Sequence, residues 1–410
     1  MDFDLILRNA RLGNAEDRSV DVGVRDGRIV AVAEGLPGDG PTEDAGGRLV
    51  LPGFVETHIH LDKSCILGRC TCTEGTLTEA IAAVAAAKRG FTEEDVLERA
   101  SQTLERSILQ GTTRMRTHVE VDPRIGLTSV RALLELREAY RWAIDIELCA
   151  FPQEGLLDDP GCEDVLVAAL ELGADVVGGA PYMDKDSHGQ IAHIFALAQR
   201  FDVDIDFHLD FGLDPAHLDV EEVCRKTDEH GWGGRVAVGH VTKFSALPAD
   251  RFEAVAKRLE GAGVAVTVLP STDLFLTGRD HDHDVPRGVT PAHRLHDRGV
   301  TCSLSTNNVL NPFTPFGDCS LVRIANLYAN IAQVGTPAGM AACLDMVTTQ
   351  SAKLLNLDDY GVAVGNPADF VVVDSESRAA AVSQIAPVLA GFKAGRKTFT
   401  RPAPTLHRPA

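Results

Sequence analysis

Phe54-Val-Glu-Thr-His58-Ile-His60 is a short, mostly apolar run that ends in two histidines. Side chains alternate faces along a strand, so histidines two apart point the same way. Moving along the chain, similar β-branched or apolar runs end near Arg116, Phe151, Gly179, His208, His240, Leu269 and Ser305. After the first gap these ends fall roughly 28 to 36 residues apart, the length of one strand, one helix and two loops. Helical patterns lie between them: Ala-rich from Thr76 to Arg89, then Glu93 to Gln110 behind a Thr92-x-x-Asp95 cap, Glu163 to Leu172 and Ile191 to Phe201. Eight strand–helix units in sequence predict an α/β fold, a (β/α)8 TIM barrel rather than an open doubly wound sheet. No G-x-G-x-x-G follows an early strand, so a dinucleotide site has no support.

Both ends of the chain read as β. Asp4 to Arg8, Val20 to Arg25 and Ile29 to Val32 are strand-like, with Arg25-Asp-Gly-Arg28 as a tight turn. Gly365 to Asp374 and Val388 to Arg396 repeat that texture. These segments predict a small β-sandwich from residues 1–52 plus 362–410, flanking a barrel at 53–361. The 410 residues are 44% hydrophobic and carry a net charge of −20. Such acidity disfavours nucleic acid and anionic membrane surfaces as partners, and no run approaches the roughly 20 apolar residues of a membrane span. With no signal-like amino terminus, a cytoplasmic location is expected. The nine cysteines are an odd, scattered set in which only Cys70 and Cys72 are close, so neither a disulfide framework nor a zinc knuckle is expected.

Catalytic groups of a barrel sit at the carboxyl ends of its strands. Here those ends carry His58 and His60, then His208, then His240. Four imidazoles converging on one point suit a divalent metal, with three protein ligands and an open position for water.

Leu51 to Lys63 resembles the metal-binding signature of the amidohydrolase superfamily, in the branch of bacterial cytosine deaminase and N-isopropylammelide amidohydrolase. The likeness continues through Arg116-Thr-His-Val-Glu-Val-Asp122, Ala150-Phe-Pro-Gln-Glu-Gly155, Gly239-His240 and Leu355 to Gly361, nearly the whole chain. The resemblance implies a barrel with a β-sandwich built from both termini, and one divalent metal, zinc or iron. It implies that His58, His60 and His208 are ligands, that His240 orients the attacking water or the substrate's oxygen, and that Gln153 holds an amide edge of the heterocycle. Binuclear relatives need a lysine at the end of strand 4, and none occurs before Lys185, so a single metal is expected.

Two positions depart from that pattern. Strand 8 of the family ends in a metal-touching aspartate that takes a proton, and Asn307 stands there, followed by Asn308. An amide offers a carbonyl oxygen but accepts no proton near neutral pH. After His208 the deaminase's proton-shuttling glutamate is replaced by Phe211. Cytosine-type deamination through a ring-protonating carboxyl group is therefore disfavoured. His240, Asp210 and Asp273 are candidate bases. Gln153, Lys63, Phe211, Asn308 and Phe313 are the expected substrate contacts, Lys63 for a carboxylate. His118 and Glu120, just past strand 2, read equally as core packing or as hydrogen bonding into the mouth. Asp62 reads as a partner of a ligand histidine or a solvated acid, and His281-Asp-His283-Asp284 as a solvated loop over the mouth.

The expectation is a metal-dependent amidohydrolase that splits a non-peptide C–N bond of a cyclic amide, imide or amino-substituted N-heterocycle by metal-activated water. His240 and Asn307 are its expected catalytic residues, and the other reading is a metal-retaining ligand-binding protein that has lost turnover, with Asn307 and Asn308 as the signature. A small N-heterocyclic molecule is the expected partner, and self-association into a homo-oligomer is left open.

Overall fold

A computed structural model of the chain describes residues 2–13, 15–402 and 404–407. Eight parallel strands occupy its middle: Phe54–Ile59, Thr112–Glu120, Asp145–Phe151, Val176–Gly179, Asp204–Leu209, Val236–His240, Val264–Val268 and Cys302–Leu304. Each pairs with the next in sequence order. The ring closes through the backbone of Asn307, whose N–H donates to the His58 carbonyl and whose carbonyl accepts from the His60 N–H, each at 2.9 Å. The seam between last and first strands therefore runs between the two histidines of the H-x-H pair.

Helices cover the strands from outside, which is why central strands such as Val236–His240 and Val264–Val268 are buried along their whole length. The helix Glu93–Leu109 shows how sequence sets these elements. Thr92 accepts the Asp95 N–H at its start, and Val96, Ala100, Leu104 and Ile108, spaced by four, are buried on one face. The helices 77–88, 162–172 and 187–201 occupy the other segments read as helical.

Leu5–Leu12, Ala15–Arg25, Arg28–Ala33, Thr42–Asp44 and Leu49–Pro52 join Phe370–Val373, Val388–Lys393 and Arg396–Thr400 in one branched mixed sheet. Leu49–Pro52 runs antiparallel to Phe370–Val373 and ties the two ends of the chain together. Leu5, Leu7, Val22, Val50, Phe370 and Phe392 share one apolar core there. The Arg25–Arg28 turn has Asp26 and Gly27 both at positive φ, 50° and 73°, the geometry that matches the twist of a hairpin.

One expectation changes. The second barrel strand continues past Arg116 to Glu120, so His118 and Glu120 lie within it. Arg116, His118 and Glu120 alternate with Thr117 and Val119, and the polar members face the barrel interior. That polarity masks the strand in a reading based on apolar runs.

Candidate active site

The first strand breaks its alternation beside the site. Between Glu56 and Ile59 it advances three residues while its partner advances two, from Met115 to Thr117. Thr57 thus turns inward to the hydroxyls of Ser303 (2.8 Å) and Ser305 (2.7 Å), and His58 beside it also reaches the interior. Simple alternation places His58 with His60, as expected, but fails one residue earlier.

His208 Nε2 stands 3.1 Å from His58 Nε2 and 3.2 Å from His60 Nε2. Nitrogens about 2.0–2.1 Å from one divalent ion, at angles of roughly 90–110°, lie about 2.9–3.4 Å apart, so these three fit a shared metal. Burial pushes all three rings well below the ordinary imidazole pKa, so each is neutral and offers a lone pair. Packing sets their orientation. His208 stacks on Phe151 at 4.4 Å and 12°, and His58 on His118 at 3.7 Å and 23°. Gly239 makes room for His58, since a Cβ there would sit 3.2 Å from its ring.

His118 is the residue the sequence reading left undecided. Its ring offers a nitrogen within 4.8 Å of those of His58 and His208, a second overlapping triad. However, its Nε2 faces Asp206 Oδ1 at 3.5 Å, and Asp206 also takes Arg116 Nη1 at 3.1 Å. The direct Nε2 contacts favour His58, His60 and His208 as the set around one point, with His118 as the ring that supports His58.

His240 ends the sixth strand with φ 69°. Its Nδ1 lies 2.6 Å from Asp273 Oδ1, and Asp273 Oδ2 accepts the Leu269 N–H at 3.2 Å. Burial raises the Asp273 carboxyl pKa, against the pull of His240. The pairing leaves His240 Nε2 as the free nitrogen. Asp273 is thus the orienting partner of a base rather than a base facing the cavity. Asp210 is withdrawn altogether, accepting the Asp219 and Val220 N–H groups at 2.9 and 3.0 Å at the start of the helix Val220–His230. Asp210, His240, Val241 and Asn307 all hold positive φ at strand ends, so backbone strain gathers at the barrel mouth.

The Asn307 amide is buried, and neither its oxygen nor its nitrogen has a hydrogen-bond partner among the described residues. Lys63 is neither a surface lysine nor a free carboxylate receptor. It is 1% exposed, donates to Glu120 Oε1 at 2.6 Å, and sits over the Phe313 ring at 4.3 Å. Glu120 passes its other oxygen to Lys88 Nζ at 3.0 Å, and Lys88 also meets Asp122 at 2.7 Å and Glu154 at 2.6 Å. The Ala-rich helix Leu77–Lys88 therefore delivers the hub of a buried ion chain from its last residue. Asp62 accepts the backbone N–H groups of Lys63 and Glu120, each at 2.9 Å, and burial raises its pKa to about 6. It binds loop to strand and touches no ligand histidine by hydrogen bond.

His60, His208, His240, Asn307 and Asn308 line a tight cavity of about 20 Å³ together with Lys63, Gln153, Phe211 and Phe313. A space that small holds about one water molecule. Leu77, Tyr182, Thr272 and Leu276 complete the lining; no motif marks them in the sequence. A larger cavity, about 740 Å³, opens beside Arg287 and His293, but the histidine cluster is not in it. His281 lines that larger cavity, and His281 and His283 are exposed as expected of a solvated loop. Among the described residues no helix is long and apolar enough to cross a membrane.

Residues 49–398 match the Amidohydrolase family. The chain is 30% identical to the N-isopropylammelide isopropyl amidohydrolase of Pseudomonas sp. (strain ADP), over 96% of this chain and 97% of the relative. Among solved structures it is similar to the 5-methylcytosine deaminase of Klebsiella pneumoniae liganded with 5-fluorocytosine, at 30% identity and a TM-score of 0.94, covering 98% of this chain and 99% of the other. It is also similar to the N-isopropylammelide isopropylaminohydrolase of Burkholderia multivorans ATCC 17616, at 27% identity and a TM-score of 0.85, covering 96% and 97%. With a family match across most of its length, a parallel barrel and a histidine triad at the strand ends, the chain belongs to the amidohydrolase family.

Proposed function

We propose that this chain hydrolyses a non-peptide C–N bond of a small N-heterocycle: a cyclic amide, an imide or an amino-substituted ring. The observation that carries the reading is the meeting of three neutral Nε2 atoms beside the His240–Asp273 pair, at the mouth of the barrel. His58, His60 and His208 would hold one divalent ion, zinc or iron. Such an ion supplies a water whose pKa falls from 15.7 to about 7 and polarises the scissile group.

The chain's own side chains do the rest. Asn307 accepts no proton, so His240 Nε2 is the group placed to take one as the water oxygen bonds to the ring carbon. The C–N bond then breaks, and the same nitrogen returns the proton to the departing nitrogen. Asp273 fixes the tautomer and stabilises the imidazolium between those steps. Asn307 holds the water by hydrogen bond. Gln153 and Asn308 grip the ring edge, while Phe211, edge-on to His240 at 5.2 Å, and Phe313 keep bulk water out.

Ammonia release and ring absorbance, followed together over pyrimidines, triazines, hydantoins and cyclic imides, test this reading. Cleavage that stops on chelation and returns with metal supports it. A chain with stoichiometric metal that binds such a ring and cleaves none would instead be a ligand-binding protein, the reading favoured by Asn307 where the family has aspartate.

A further inference from the structure

The hydrogen-bonding character of the cavity is fixed by its surroundings. Asn311 Oδ1 accepts two backbone N–H groups, from Phe313 at 3.0 Å and Thr314 at 3.2 Å, which assigns its amide without ambiguity. Its Nδ2 therefore donates, to the Lys63 carbonyl at 3.2 Å and to Asn308 Oδ1 at 2.7 Å. Asn308 must then offer its Nδ2, two N–H donors, to the cavity it lines. The same logic holds for Gln153. Lys63 can only donate, so the Gln153 atom 3.4 Å from its Nζ is the oxygen.

The formal charges point the same way. Among the described residues that line the cavity, none is Asp or Glu, and Lys63 carries a positive charge. Glu120, buried behind Lys63, takes one of its three N–H donors. A donor set of imidazoles, with the Asn307 amide beside it in place of a carboxylate, would leave a divalent ion its full charge.

Building on the proposed function, we infer that the substrate is an acceptor-rich, anionic heterocycle: a ring bearing several oxo groups and an acidic ring proton, bound deprotonated. Asn308 is the residue that selects it, by donating where a carboxylate at the same place would repel.

The test is equilibrium binding by calorimetry at neutral pH, with the full-length, metal-loaded chain and two rings of nearly equal shape, barbiturate as the anion and uracil as the neutral. Donors to a charged acceptor, added to an uncompensated cation, should favour barbiturate by about tenfold or more. Asn308→Asp should cut that ratio by about tenfold with metal content unchanged, and Asn308→Ala should weaken barbiturate while sparing uracil. Uracil binding as tightly as barbiturate, binding of neither ring, or an unchanged ratio in both variants would overturn the inference. The readout is independent of turnover. A chain that cleaves nothing can pass it, and one that cleaves neutral rings and prefers uracil fails it alone.

Discussion

Two buried clusters at the barrel mouth use opposite electrostatics. One is a stack of imidazoles, His58, His60, His118 and His208, which burial keeps neutral. The other is a chain of fixed charges running from Lys63 through Glu120 and Lys88 to Asp122 and Glu154. A metal-holding cluster needs lone pairs, so its rings must lose their protons, and burial does that without any carboxylate among the ligands. The other cluster must keep an ammonium group in an apolar setting, which only close counter-charges allow. Two His–Asp pairs show the same division on a smaller scale. His240–Asp273 is a tight bond with Nε2 left free at the cavity, whereas His118–Asp206 is a looser contact whose carboxylate is shared with Arg116.

The sharpest way to break this contrast is to remove a ring from the first cluster. His58→Ala or His208→Ala should reduce bound metal from about one per chain to background, read by elemental analysis, and abolish turnover. Near-stoichiometric metal in either variant would contradict the ligand assignment. His240→Ala comes next, lowering kcat by about 10²–10⁴-fold with metal retained. Asp273→Asn should give a smaller loss together with an altered pH–rate profile. A full rate in the His240 variant would move the base elsewhere.

The charged cluster should respond in stability instead of metal content. Lys88→Met strips Glu120, Asp122 and Glu154 of their shared cation, leaving Lys63 on Glu120 and Arg124 on the other two, and should cost about 3–5 kcal/mol by denaturant unfolding. A cost under about 1 kcal/mol would mean that the chain of charges is not holding the cluster together. Asp122 gives a milder, pH-dependent signature. Burial alone would raise its pKa, but Lys88 and the surrounding hydrogen bonds hold it at about 2. Its folded pKa lies below the unfolded value, so its stabilisation is complete above about pH 4 and is lost as pH falls from about 4 to about 2. Asp122→Asn should show a shallower decline across that window. The smallest effect is expected from Asn307→Asp, which should change the pH–rate profile without destabilising the fold, since Asp tolerates the φ of 65° nearly as well as Asn.

Much of this was readable in the residues. The spacing of strand ends gave the barrel, and the resemblance to the amidohydrolases marked His58, His60 and His208, at two of those ends, as the ligand set that the geometry favours. Three features were hidden for physical reasons. His118 and Glu120 sit on a strand whose inward face is polar, so it lacks the apolar signature by which strands are recognised. Lys88 looks like the solvated end of an Ala-rich helix, and only the meeting of three distant carboxylates makes it a buried hub. The fate of the acids near the mouth depended on backbone direction. The positive φ of Asp210 belongs to a carboxylate that caps a helix, while Asp273 reaches His240 from the next strand's helix, and no spacing rule separates those two outcomes.

Anomalous diffraction at the metal's absorption edge, on crystals of the metal-loaded chain, tests the central claim most directly. One peak about 2.0–2.1 Å from Nε2 of His58, His60 and His208, with His118 unligated, is the predicted result. A peak that misses any of those three nitrogens, or none in protein given stoichiometric metal, would contradict it.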